Sequence, residues 1–464
     1  MAGIERVAVI GLDCAEPSLV FERWPDRLPA LRGLCAAGTF GTLTSCLPPI
    51  TVPAWSCMAA SKDPGQLGIY GFRNRRDHSY DGMQIALSTA VREPRVWDLL
   101  TEAGRTSIVV GVPGTFPITR PPRGAMVSCF LTPDLTTDYT HPKELKQTIA
   151  GLVGEYIVDI DGFRTENKQW LLERIYAMTD RRFTVVEHLA RSQPWDLLWF
   201  VEMGTDRIHH GFWQFHDPAH HRFSAGNPFE HAIRDYYVHI DRRIGALIET
   251  LDPARTALLV VSDHGAKRMD GGICFNDWLI REGYLVLKER VGKPTKFNVN
   301  LIDWTRTRAW GEGGYYGRCF LNVRGREPQG IVPPEQYEAL RGELISKLEA
   351  LRGPKGASIG TRVYRPQDIY RQVNGVPPDL VVIFGDLHWR SVGTVGNPDV
   401  YTFENDTGPD DANHAQEGMY ILSHPSLPAR GRVDGPTLYD IAPTLLALLG
   451  RPVPSDMLGR ALMA

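Results

Sequence analysis

Seven side chains in this 464-residue sequence have types and positions suited to metal-assisted chemistry: Asp13, Thr51, Asp206, His210, Asp263, His264 and His414. Asp206 and His210 lie four residues apart, and on a helix such a pair shares one face and can reach one ion. His209 would point about 100° away from that face, which favours His210. His216, His220 and His221 read as surface or lid residues. Asp263 and His264 are adjacent in Val260-Val261-Ser262-Asp263-His264-Gly265. Two ligating types at the end of an apolar run, followed by Gly, are hard to explain as packing. Asp13 closes Val9-Ile10-Gly11-Leu12-Asp13; its plain alternative is a loop carboxylate capping the next helix. His414, in Asn413-His414-Ala415-Gln416-Glu417-Gly418, reads by itself as a solvated loop side chain.

Thr51 sits in Pro48-Pro49-Ile50-Thr51-Val52-Pro53-Ala54-Trp55-Ser56. The prolines stop any preceding helix, and Pro53 fits the first turn of a helix running to about Ala60. Thr51 then serves as an ordinary N-cap, or its hydroxyl acts beside a phosphate held at the helix N-terminus. A hydroxyl is a poor nucleophile unless a base or a metal takes its proton. Three Asp, three His and one Thr form a mixed nitrogen and oxygen donor set, which suits Zn²⁺ or another divalent transition metal better than Mg²⁺ or Ca²⁺. Seven donors are too many for one tetrahedral ion and suit two. Gly11 lacks the further glycines of G-x-G-x-x-G, so a dinucleotide loop is not a rival.

Elements must bring these residues together. The short apolar runs Val7–Leu12, Ser107–Val112, Asp196–Glu202, Thr256–Val261, Leu380–Phe384 and Met419–Leu422 read as buried parallel strands. Arg95–Glu102, Gln169–Ala190 and Pro333–Leu351 have helical spacing, and Asp440–Leu449 reads as an N-capped helix ended by Gly450. The alternation predicts an α/β fold, a doubly wound, mostly parallel sheet flanked by helices. Functional residues of such sheets lie beyond the carboxyl ends of the strands. One catalytic domain over residues 1–464 is expected, with a helical lid insertion at 117–194 and a cap insertion at 266–377.

Composition narrows the classes. With 51 Lys+Arg against 54 Asp+Glu the net charge is −3, which argues against binding a nucleic-acid polymer. At 43% hydrophobic and 23% charged, the chain can build a large core. No window approaches about 18 consecutive apolar residues, and the N-terminus lacks the pattern of a secretory signal, so neither a membrane span nor export is expected. Seven scattered cysteines without Cys-x-x-Cys support neither a disulfide framework nor a zinc ribbon; a cytoplasmic location is expected.

The ordered set Asp13, Thr51, Asp206-x-x-x-His210, Asp263-His264 and His414, closed by Asp440-Ile441-Ala442-Pro443-Thr444, resembles the alkaline phosphatase superfamily. Within it, the set is most similar to the type I phosphodiesterase/nucleotide pyrophosphatase branch. The resemblance implies two divalent metal ions, Zn²⁺ first and Mn²⁺ or Fe as alternatives. Asp206, His210 and His414 would hold one, and Asp13, Asp263, His264 and the Thr51 oxygen the other. It also implies a covalent phosphothreonine on Thr51 and a small-molecule phosphate ester as substrate. Cys46-Leu47-Pro48 begins the sulfatase pattern C-x-P-x-R, but Ile50 stands where Arg is required. Phosphoglycerate mutases of the superfamily use Ser where this chain has Thr51. An Asn downstream of the nucleophile supports the phosphate in nucleotide pyrophosphatases, and Asn74 is the candidate, with Arg73 beside it as a substrate contact. Arg75 and Arg76 read as a solvated basic loop. A phosphomonoesterase or phosphomutase with the same centre, and an inactive phospho-ligand-binding homologue, are the alternatives. Trp310, Tyr315 and Tyr316 read as packing residues rather than a stack for a base.

Overall fold

The computed structural model describes residues 3–463. Its largest element is a nine-stranded sheet with Thr256–Val261, Arg6–Leu12, Leu197–Glu202, Ser107–Val110 and Gly124–Val127 adjacent and parallel. Val9 pairs with Trp199 on one side and Leu259 on the other. Every residue of Leu197–Glu202 and Thr256–Val261 is buried, so these strands read in sequence as continuous apolar runs. Successive side chains go to opposite faces. Trp199 packs edge-on against Trp55 and Trp97, while its neighbour Phe200 packs against Phe183. Those partners belong to the two helical layers. Thr51–Ala60, Val96–Glu102 and Ile441–Leu448 pack together on one face. Pro29–Ala36, Lys168–Ser192, Gly204–His216 and Ala232–Glu249 pack together on the other.

Two of the expected parallel strands are corrected. Met419–Leu422 lies in Glu417–Ser423, which runs antiparallel between Thr256–Val261 and Gly38–Thr44. Leu380–Ile383 is not in the large sheet at all. It pairs antiparallel with Gly317–Leu321 and Arg362–Tyr364 in a separate four-stranded sheet. A strand buried on both faces shows the same apolar run whichever way its neighbours point, so direction was not in the pattern.

That smaller sheet belongs to a second hydrophobic cluster built from residues between Ile273 and Val400, so this core extends past residue 377. Within 117–194, Gly124–Val127 and Thr140–His141 complete the edge of the large sheet, and Lys168–Ser192 packs on it. A third small cluster joins the two cores: Ile50, next to Thr51, packs with Tyr316, Val381 and Ile383. No helix among the described residues is long and apolar enough to cross a membrane.

Candidate metal centre

The seven singled-out residues converge at one edge of the large sheet. Asp13 follows Arg6–Leu12, Asp263 and His264 follow Thr256–Val261, and Asp206 and His210 lie on Gly204–His216 just after Leu197–Glu202. These are the carboxyl ends of parallel strands. His414 precedes Glu417–Ser423, and because that strand is antiparallel its amino end falls on the same edge. A short ladder fixes it there, Ala266 opposite His414. Thr51 opens the helix Thr51–Ala60, but it is not the cap: Ile50 takes that position, and the Thr51 hydroxyl makes no capping bond. Its Oγ1 lies 3.3 Å from His264 Nε2.

Distances sort the donors into two touching groups. His210 Nε2 is 3.3 Å from Asp206 Oδ1 and 3.3 Å from His414 Nε2, and His414 Nε2 is 3.9 Å from Asp206 Oδ1. On the other side His264 Nε2 is 3.3 Å from Asp263 Oδ2 and 3.9 Å from Asp13 Oδ1. The ring of His264 stacks on that of His414 with centroids 3.8 Å apart. Asp206, His264 and His414, and again Asp13, Asp263 and His264, place one ligand atom each within 4.8 Å of one another.

Each carboxylate divides its two oxygens. Asp13 Oδ2 accepts from Trp55 Nε1 at 2.7 Å, Asp263 Oδ1 accepts from the Cys14 amide at 3.2 Å, and Asp206 Oδ2 pairs with Arg207. The other oxygens, Asp13 Oδ1, Asp206 Oδ1 and Asp263 Oδ2, are buried without a hydrogen-bond partner. Three orphaned carboxylate oxygens facing three imidazole nitrogens require positive charge between them, because buried acceptors without donors are costly. The imidazoles are oriented to match. Nδ1 of His210 meets Asp410 Oδ1 at 2.6 Å, Nδ1 of His414 meets the Pro49 carbonyl at 2.7 Å, and Nδ1 of His264 meets the Gly265 carbonyl at 3.1 Å. A proton held on Nδ1 leaves the Nε2 lone pair directed inward, as in ligating histidines. The donor set therefore fits divalent cations.

The electrostatics agree. Burial, then the charge of Asp206, pushes the Asp13 carboxyl well above its ordinary range, and burial with Asp13 does the same to Asp263. Burial pushes His264 down to about 4 and holds His414 well below its ordinary value. Burial opposes charge on His210 as well, yet Asp410 on one nitrogen and Asp206 on the other outweigh it and raise its pKa. Burial also opposes ionisation of Asp206, but His210 and Arg207 hold its carboxyl low. Positive charge is favoured between Asp206 and His210, and the Asp13–Asp263 side lacks it.

Gly11 has a role that is not nucleotide binding. A Cβ there would lie 2.7 Å from the Trp55 ring, so only glycine lets Trp55 cross the strand end to reach Asp13. His209 turns away, to Tyr237 at 3.2 Å. His216 and His220 are buried rather than surface residues, the former against Arg23, while His221 is exposed.

A cavity of about 540 Å³ adjoins the centre and is lined by Ile50, Arg207 and Tyr315 among others. Tyr315 stacks on His210 at 5.1 Å between centroids and lies tilted against His414 at 4.2 Å. Tyr315 and Tyr316 thus line the site, whereas Trp310 packs in the second core. Arg73 also lines the cavity. Asn74 Oδ1 accepts from the Tyr70 amide at 2.7 Å and its Nδ2 donates to the Gly71 carbonyl at 3.1 Å, so each end of its amide makes a bond within its own turn. Asp410, Arg207, Arg164 and Trp55 were not singled out in the sequence. Arg164 holds Asp410 at 2.9 Å and donates to the Tyr315 hydroxyl at 2.6 Å, and Arg207 is held by Asp159. The one signal available was Asp410-Asp411, an acidic pair just before His414.

Comparison with known proteins gives the same kind of site a context. The family model described as type I phosphodiesterase / nucleotide pyrophosphatase matches residues 7–410. No curated protein matches in sequence. Among solved structures, phosphonoacetate hydrolase from Sinorhizobium meliloti 1021 in complex with phosphonoformate is 15% identical, with 96% of this chain and 95% of that chain covered at a TM-score of 0.62. Murine ectonucleotide pyrophosphatase / phosphodiesterase 5, an inactive threonine-to-alanine variant in complex with AMP, is 14% identical over 97% of both chains, with a TM-score of 0.57. The human counterpart gives the same score and identity.

Proposed function

The chain belongs to the type I phosphodiesterase / nucleotide pyrophosphatase family and is therefore a phosphoester hydrolase; we infer that it cleaves phosphodiester or pyrophosphate bonds through Thr51, with two divalent cations. One observation carries this reading: three buried carboxylates, each with one unpartnered oxygen, face three inward-directed imidazoles around the Thr51 hydroxyl. Asp206, His210 and His414 would hold one cation and Asp13, Asp263 and His264 the other, next to Thr51, and such ions supply charge that lowers a hydroxyl's pKa and stabilises phosphoryl oxygens. The nitrogen and oxygen donors favour Zn²⁺.

The chain's own groups set the course of the reaction. Thr51 Oγ1, freed from capping, attacks phosphorus; the new O–P bond forms as the bond to the leaving alkoxide or phosphate breaks. The free N–H groups of Thr51 and Val52, ahead of Pro53 in the first turn of Thr51–Ala60, would stabilise the charge of phosphoryl oxygens placed beside them. Water then cleaves the phosphothreonine from the opposite side, and two inversions retain configuration at phosphorus. Arg207, fixed by Asp159, and Tyr315, fixed by Arg164, form the cavity wall that orients the ester.

The test is a paired assay with metal-loaded protein on bis(p-nitrophenyl) phosphate and p-nitrophenyl phosphate. Faster turnover of the diester is expected. Thr51→Ala should lower kcat by roughly 10³-fold or more while elemental analysis still finds bound metal. Near-normal rates in Thr51→Ala would remove the covalent route, and greater monoester turnover would overturn the diester assignment.

A further inference from the structure

The cavity beside Thr51 holds more positive charge than its own acids neutralise. Three of its cations are committed. Arg207 is paired with Asp159 and Asp206, Arg164 with Asp410, and Arg390 lies 3.5 Å from Asp406 and 3.8 Å from Asp410. Three others, Arg73, Lys296 and Arg318, form no ion pair with a carboxylate among the described residues. Arg73 and Lys296 are exposed at the rim. Arg318 is only 9% exposed. Its guanidinium donates to two backbone carbonyls, those of Arg73 and of Gly313, the latter at 3.3 Å. Of the two acids that line the cavity, Asp159 is taken by Arg207, which leaves Glu312, directly across the strand pair from Arg318 but in no ion pair with it, against three cations.

A carbonyl orients a guanidinium without cancelling its charge, and a buried, uncancelled cation is costly in a protein unless it meets an anion in the working complex. The chain as a whole carries −3, so this local excess does not follow from its composition. The cavity is lined by Ile50, the cap of the helix that Thr51 opens, and its aromatic wall of Phe72, Phe130, Phe163 and Tyr315 leaves the cations as the main polar recognition groups.

We propose that Arg318, with Arg73 and Lys296 at the rim, forms a second anion subsite, so that the preferred substrates are phosphodiesters whose cavity-side substituent bears its own carboxylate or phosphate. This rests on the reading of Thr51 as the nucleophile. Arg318 is well suited to such a group because its planar fork can meet either anion with two parallel hydrogen bonds.

Three p-nitrophenyl phosphodiesters differing only in the second substituent test it: propyl, 2-carboxyethyl and 2-phosphonooxyethyl. The wild type should favour at least one charged ester over the propyl ester by about tenfold in kcat/KM at low salt, and the larger preference names the anion. Arg318→Gln should erase most of that ratio in a protein with an unchanged melting temperature. The exposed variants Arg73→Ala and Lys296→Ala should each reduce it, which gives a reading even if Arg318→Gln misfolds. A wild type without preference, or an Arg318→Gln ratio equal to the wild type's, overturns the subsite. Calorimetry on metal-loaded Thr51→Ala separates this outcome from failure of the catalytic reading. There, 2-carboxyethylphosphonate or 2-phosphonooxyethylphosphonate should bind more tightly than propylphosphonate, and equal binding of all three sinks the proposal whether or not any ester is hydrolysed.

Discussion

Asp410 illustrates how much of the centre's behaviour is decided one atom away from it. Its Oδ1 meets His210 Nδ1 at 2.6 Å, and its Oδ2 is held by Arg164 at 2.9 Å. An anionic acceptor on Nδ1 fixes the ring and makes Nε2 a stronger donor to a cation. Asp410→Asn should therefore weaken one of the two bound ions by about 10–100-fold in affinity and leave the other nearly unchanged. Titration with a competing chelator dye resolves the two, and a uniform loss at both sites would contradict the assignment of His210 to one group. The clustered acids and imidazoles were legible in the sequence as candidates because their types and their places after apolar runs are local facts. Asp410 was not, since it stands 200 residues from His210 and only the fold makes them neighbours. Asn74 shows the opposite limit. Its position downstream of Thr51 matched a family role, while its amide makes local bonds in the turn with Tyr70 and Gly71 that no sequence pattern shows.

At the scale of elements, the turn from Leu197–Glu202 into Gly204–His216 delivers both Asp206 and His210, and a buried ion pair holds it. Arg182, from Lys168–Ser192, lies 3.7 Å from Glu202, and both side chains are almost fully enclosed. Glu202 Oε1 in turn accepts from the Gly204 amide at 2.8 Å, at the first residue of the helix. Removing one partner of such a pair leaves the other buried and uncompensated, at a cost of about 3–5 kcal/mol. Arg182→Met should thus lower thermal stability well beyond the effect of an exposed Arg→Met exchange, and it should weaken metal binding although Arg182 touches no ligand. An unchanged melting temperature would mean that the turn does not depend on the pair. The alternation of strands and helices was readable, because periodicity and turn residues are local. The reversal of Glu417–Ser423 was not, and it matters. Only that reversal brings His414 to the edge where Asp13, Asp206 and Asp263 already stand.

For the whole molecule, the centre is a point where segments from most of the chain are pinned to one another. Asp13 and His414 stand near opposite ends of the sequence, and the sheet, the helix Thr51–Ala60 and the ladder from Gly265–Arg268 to Ala412–Ala415 all end on it. Without cations, three buried acids each leave an oxygen unpaired, and burial and their mutual repulsion disfavour charge on Asp13 and Asp263, so bound metal should stabilise the entire fold. Ligand binding to the native state alone contributes RT ln(1 + [L]/Kd), about 2.7 kcal/mol at a hundredfold excess over Kd. The melting temperature should therefore climb steadily with the logarithm of free Zn²⁺ concentration and fall on chelation. Variants separate structural from catalytic roles in the same measurement. Thr51→Ala should retain most of the metal-dependent rise, since it removes one weak oxygen ligand and no carboxylate. Asp263→Asn should lose much of it together with activity. In the bare protein, by contrast, the same Asp263→Asn exchange should cost no stability, because burial and Asp13 already disfavour charge on Asp263. A melting curve indifferent to Zn²⁺, Mn²⁺ and chelator alike would mean that the clustered acids and imidazoles are not a metal centre, and the role given to Thr51 would lose its activating charge.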